Sequence, residues 1–113
     1  MFVLKQSESY VWPVTVEFPI DGGKFKKESF DAEFKRISES RIKEATKQVI
    51  DGELNDNDFA KEILVGWSSV SDENGNEVPY TESTKAKLLD FPLVAKAIVL
   101  AFFDSLSGTK RKN

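Results

Sequence analysis

Cysteine and histidine are both absent from the 113 residues. Without cysteine there is no disulfide, no thiol nucleophile and no thiolate metal site. Without histidine the chain lacks the commonest general base, the usual proton carrier of a catalytic triad and the commonest zinc ligand. Long apolar runs are missing too. The richest, residues 93–103, is interrupted by Lys96 and falls short of the roughly 20 residues that span a bilayer. At the start, Lys5 and Glu8 follow four apolar residues with no basic cap, which does not read as a secretory signal. The expectation is a protein that stays where it is made, without a membrane partner, catalytic residues, cofactor or metal. An excess of positive charge is also lacking. Net charge is −3, and Lys110, Arg111 and Lys112 supply three of the 16 cations against 19 anions. The rest of the chain is therefore acidic, a poor surface for nucleic acid.

What is present is a balance of 40% hydrophobic and 31% charged residues, as in one folded domain. We read residues 1–108 as that domain and residues 109–113 as a short basic tail. Trp12, Val14, Val16 and Phe18 alternate with polar residues, which predicts a strand, with Pro13 marking an edge or a strand start. Asp21-Gly22-Gly23 is a turn, and a return strand over about residues 24–27 closes a β-hairpin spanning about residues 10–28. Residues 2–4 are a candidate third strand. From Ser29 the spacing of Phe30, Phe34 and Ile37 predicts a helix. Ser38 caps a second, from Glu39 to about Ile50, with Ile42, Ala45 and Val49 on its apolar side. Asn55 or Asp56 caps a third, carrying Phe59, Ile63 and Trp67 at i, i+4, i+8. After a polar loop over residues 71–80, Thr81 caps a fourth, and Pro92 sits in the first turn of a fifth. The expected fold class is α+β, predominantly helical: the hairpin followed by four to five helices over about residues 29–107.

Three patterns bear on chemistry. Asp51 and Glu62 have the spacing of the first and last ligands of an EF-hand loop, but Asp56 stands where that loop needs glycine. Carboxylates at a helix start are accounted for by capping and the helix dipole. Asp72-Glu73-Asn74-Gly75 reads as a turn. Trp12 and Trp67 are either ligand-stacking residues or core, and their strand and helix spacing favours core.

The last helix is apolar nearly all round over residues 92–106. Such a helix is wrapped by its own chain, or part of its surface docks on another subunit or a partner helix. The second reading makes Val94, Ile98, Val99, Phe102, Phe103 and Leu106 candidate contacts with a client or another subunit, and implies a homo-oligomer.

The order of short signatures resembles the small tail assembly chaperones of long-tailed bacteriophages. The matching pieces run from Trp12-Pro13-Val14 through Phe18-Pro19 and Asp21-Gly22-Gly23 to Phe30-Asp31-Ala32-Glu33-Phe34-Lys35. They continue with Val65-Gly66-Trp67, Asp72-Glu73-Asn74-Gly75, Val78-Pro79-Tyr80-Thr81 and Leu88-Leu89-Asp90-Phe91-Pro92. Ala101-Phe102-Phe103-Asp104-Ser105-Leu106-Ser107-Gly108 and Lys110-Arg111-Lys112-Asn113 close the series. The resemblance covers nearly the whole chain. It implies a non-catalytic protein of the host cytoplasm that holds the helical, hydrophobic tape measure protein soluble until tail tube protein assembles around it. It also implies absence from the mature virion and, commonly in the family, a longer product made by frameshifting near the end of the reading frame. The competing expectation is a structural virion component such as a head–tail connector or tail terminator subunit.

Overall fold

The structure, a computed structural model, describes residues 1–108. Strand β1 (Ser9–Ile20) and strand β2 (Lys24–Lys35) form a long antiparallel hairpin. Helix α1 (Glu39–Ile50) and helix α2 (Asp56–Ile63) follow, then strand β3 (Leu64–Ser68), helix α3 (Glu82–Leu89) and helix α4 (Val94–Leu106). The sheet order is β1-β2-β3, antiparallel throughout. Helices account for 38% of the described residues and strands for 29%. The expectation of a predominantly helical protein with four to five helices is thus corrected to a three-stranded sheet with four helices.

Two segments account for the difference. Residues 29–37 were expected to be helical because Phe30 and Phe34 lie four apart, yet that spacing also suits a strand. With Ala32 between them, all three side chains fall on one sheet face, opposite Val14, Trp12 and Tyr10 of β1. Phe30, Ala32 and Phe34 are buried there while Lys35 is exposed. The hairpin therefore extends to Lys35, well past the expected boundary near residue 28. The expected third helix stops at Ile63, where Leu64 turns to extended backbone. Val65-Gly66 then continues as strand, a β-branched residue and a glycine being poor helix formers. Leu64 to Ser68 is thus the third strand, and residues 2–4 are not in one.

The sheet's inner face is covered by α2 and α4. The core centres on an aromatic cluster. Phe102 meets Phe34 edge-on at 5.5 Å and Phe59 at 5.7 Å between ring centroids. Ile63, Leu64, Ile98 and Val14 close round it, all fully buried. The capping expectations hold in detail. Ser38 Oγ accepts from Arg41 N, Asn55 Oδ1 accepts from Asp58 N, and Thr81 forms a reciprocal capping box with Thr84. Pro92 is not in the first turn of α4. It sits in the preceding turn, and Leu93 takes the N-cap position in a left-handed conformation at φ 75°.

The ladder register also fixes which way the backbone points. Arg36 N donates to Glu8 O just beyond the hairpin, so even-numbered residues of β1 bond to β2. Odd-numbered residues of β1 direct their N–H and C=O groups to its open edge. Pro13 and Pro19 are both odd, where a missing donor breaks no ladder bond. By the same parity Phe25, Lys27 and Ser29 of β2 face away from β1. Strand β3 pairs only with residues 31–34 of β2, leaving those three without a strand partner.

Candidate functional site

The chain leaves β3 at Ser69, whose φ of 65° turns it away from β2. The loop that follows is held by its own bonds. Asp72 Oδ1 accepts from Asn74 N and Asn76 N, and Val78 N donates back to Val70 O. Trp67 Nε1 donates to Val78 O at 2.8 Å, and its ring meets Tyr80 edge-on at 5.1 Å. Tyr80 and Lys85 both donate to Leu64 O, tying α3 to the strand.

Because loop and β2 diverge, a groove of about 910 Å³ opens between them. Val16, Phe18 and Phe30 of the hairpin form one wall; Trp67 and Val70 form the other. Leu88, Phe91 and Val94, from α3 and the start of α4, form the floor. Glu28, Asp72 and Glu73 set an acidic rim, with Lys87 the one cation among the lining residues. Phe91 is 58% exposed, so its ring is held in the groove without being part of the core.

The six residues of the last helix proposed from the sequence divide sharply. Val94, Ile98, Val99 and Phe102 are packed in the chain's own core, none more than 6% exposed. Only Val94 also touches the groove. Phe103 is half-buried, stacked on Phe59 at 5.8 Å, and Leu106 is 44% exposed. The outward side of α4 carries Leu93 and Leu100, both about half exposed. The helix is therefore wrapped by its own chain on one side, and the structure brings together a different apolar set, drawn from the hairpin, β3 and the α3–α4 turn. Among those, Trp67 was singled out in the sequence. The remainder are ordinary apolar residues, and only the divergence at Ser69 assembles them.

The acidic segment around Asp51 has a structural account. Asp51 caps α1, and Glu62 is engaged by Arg41. No group of His, Cys, Asp or Glu that could hold a metal is present among the described residues. No described helix is long and apolar enough to cross a membrane. The basic tail of residues 109–113 lies outside the described residues. No family model, curated protein or solved structure matches the chain.

Proposed function

We propose that this protein is a tail assembly chaperone of a long-tailed bacteriophage, acting in the host cytoplasm to keep an apolar helix of the tape measure protein soluble until tail tube protein assembles. The observation that supports this reading is the groove, lined by Phe18, Trp67, Leu88 and Phe91 among others and carrying carboxylates at its rim. An amphipathic helix buries its apolar face in such a groove through side chains at i, i+3, i+4 and i+7. The acidic surround keeps the chaperone dispersed while that surface is uncovered. Thr84 and Lys87 of α3 and Ser29, Ser69 and Ser71 add polar groups to the lining, a mixture that suits a helix with one apolar and one polar side. The client contacts on this reading are Phe18, Trp67, Leu88 and Phe91, rather than the buried side of α4.

Co-expression tests it. A tape measure fragment should be soluble with the wild-type chain and insoluble with Phe91→Asp, because a carboxylate there loses hydration without gaining a partner. Phe91 is exposed enough that the variant folds, which circular dichroism checks. Leu100→Asp, on the outward side of α4, should leave the client soluble. If the wild-type protein holds no tape measure fragment and is found at fixed copy number in finished tails, the chaperone reading fails and a connector or terminator subunit takes its place.

A further inference from the structure

The first residues of the chain are apolar and largely uncovered. Phe2 is 80% exposed and Leu4 94%, with Met1 and Val3 beside them. Their backbone enters no strand, and the hydrogen bond that involves them is a local one, from Gln6 Nε2 to Val3 O. Four consecutive apolar side chains in water are costly, each forgoing roughly 1.5–3 kcal/mol of burial. The groove offers that burial, and along its hairpin wall it offers more. The backbone groups of Phe25, Lys27 and Ser29 point away from β1 with no strand beside them, so an extended segment can add there as a new strand.

Reach decides which copy supplies the segment. Val16 lies seven residues along β1 from Ser9, roughly 23 Å at strand rise. Leu4 is five residues before Ser9, at most about 18 Å of extended chain. The segment also leaves the far end of the hairpin and would spend residues reversing direction. A chain therefore cannot lay its own Leu4 along the open β2 edge at residues 25–29, whose partners on β1 are Thr15 to Pro19. A second copy can.

We infer that in the absence of a client the protein pairs with itself by exchange, residues 1–5 of each copy lying as a strand on the open β2 edge of the other, with Phe2 and Leu4 in the groove. Charge agrees with the direction of insertion. Lys5 follows the apolar residues and arrives at a rim with three carboxylates, Glu28, Asp72 and Glu73, against one cation, Lys87, and of the three Glu28 already has Lys26 at 3.3 Å. The inference concerns the chain alone and stands whether or not the groove's client is a tape measure helix.

The test is the oligomeric state of the full chain, with no client present, by sedimentation across a concentration series. Wild-type protein should run as a dimer at high micromolar concentration. The double variant Phe2→Ser, Leu4→Ser should be monomeric there, its dissociation constant raised by about tenfold or more. Both residues are exposed, so the variant keeps the wild-type circular dichroism spectrum. Lys5→Glu should weaken the dimer and reduce its salt dependence, while Leu100→Asp should not change it. In a Trp12→Phe background, Trp67 emission should shift to the blue as the dimer forms, and should not shift when residues 2 and 4 are serine. A wild-type protein that stays monomeric throughout overturns the inference. So does a dimer whose strength is unaltered by the double serine variant, or one weakened only by Leu100→Asp.

Discussion

Arg41 of α1 grips Glu62 of α2 with both arms of its guanidinium: Nε donates to one carboxylate oxygen at 2.8 Å and Nη2 to the other at 2.6 Å. Helix α1 buries only Ala45. Its attachment to the body therefore joins a small apolar contact to this two-pronged pair.

The pair predicts an acid-dependent loss of stability. Arg41's hydrogen bonds and charge hold the Glu62 carboxyl below the usual carboxylate range, against an opposing effect of partial burial. A lowered folded-state value means that the contribution is complete above the unfolded value, about 4.3, and fades as pH falls through the lowered one. Glu62→Gln should melt below wild type at pH 7, and the two curves should converge in strong acid. A gap that persists unchanged in acid would show that the charge is not its source.

The aromatic centre predicts the largest single-residue effect. Phe102 is 1% exposed and contacts Phe34 and Phe59 edge-on. Phe102→Ala should cost about 3–5 kcal/mol in urea unfolding, a large share of the 5–15 kcal/mol typical of a whole domain. Leu100→Ala, two residues earlier on the opposite side of α4 and half exposed, should cost well under half of that.

Much of this was legible in the residues, and the part that was not has a definite cause. Side-chain caps are local, so Ser38, Asn55 and Thr81 announced three helix starts correctly. The alternation from Trp12 to Phe18 and the Gly22-Gly23 turn located the first strand and the bend. The return strand was lost because Phe30 and Phe34, four apart, satisfy two periods at once. Only a partner strand with matching alternation separates them, and pairing is a property of the fold rather than of the segment. Trp67 was placed on a helix for the same reason, its i+8 spacing from Phe59 outliving the helix that ends at Ile63. The apolar character of the last helix was legible, but not which neighbour would cover it. The groove was invisible, since it arises where two segments far apart in sequence move away from each other.

The prolines of β1 predict a guarded edge. Pro13 and Pro19 withhold two donors from the row that faces solvent, so an incoming strand finds interrupted partners. Replacing both by threonine restores the donors without disturbing any bond to β2. The double variant Pro13→Thr, Pro19→Thr should melt close to wild type yet form larger species on standing, read by light scattering. Unchanged scattering would mean that the edge is protected by something else.

Gly66 predicts a steric coupling between β3 and β2. A Cβ at that position would lie 3.2 Å from Glu33 Cβ and 2.6 Å from Glu33 Oε1. Gly66→Ala should destabilise by roughly 1–3 kcal/mol, since the carboxylate must move and the neighbouring Cβ must give. Glu33→Ala in the same chain should return part of that loss, because it removes the flexible obstruction but leaves Cβ in place. Strict additivity of the two changes would disprove the coupling.

The short overlap between β3 and β2 has a mechanical consequence. Near residues 31–34 the hairpin is the middle of a three-stranded sheet under two helices; toward the Gly22-Gly23 turn it is a ribbon of two strands. Such ribbons twist more than broad sheets, and their amides open at much lower free energy than those of a packed core. Stiffness therefore falls along one continuous element, from a base anchored by Phe34 to a tip carrying Ile20 and Phe25 in solvent. The wall of the groove that holds Val16 and Phe18 sits on this gradient, between the rigid and the compliant part. Bending of the ribbon would therefore act on the outer end of the groove, at Phe18, while Val16 and Phe30 are held in the core with Phe102.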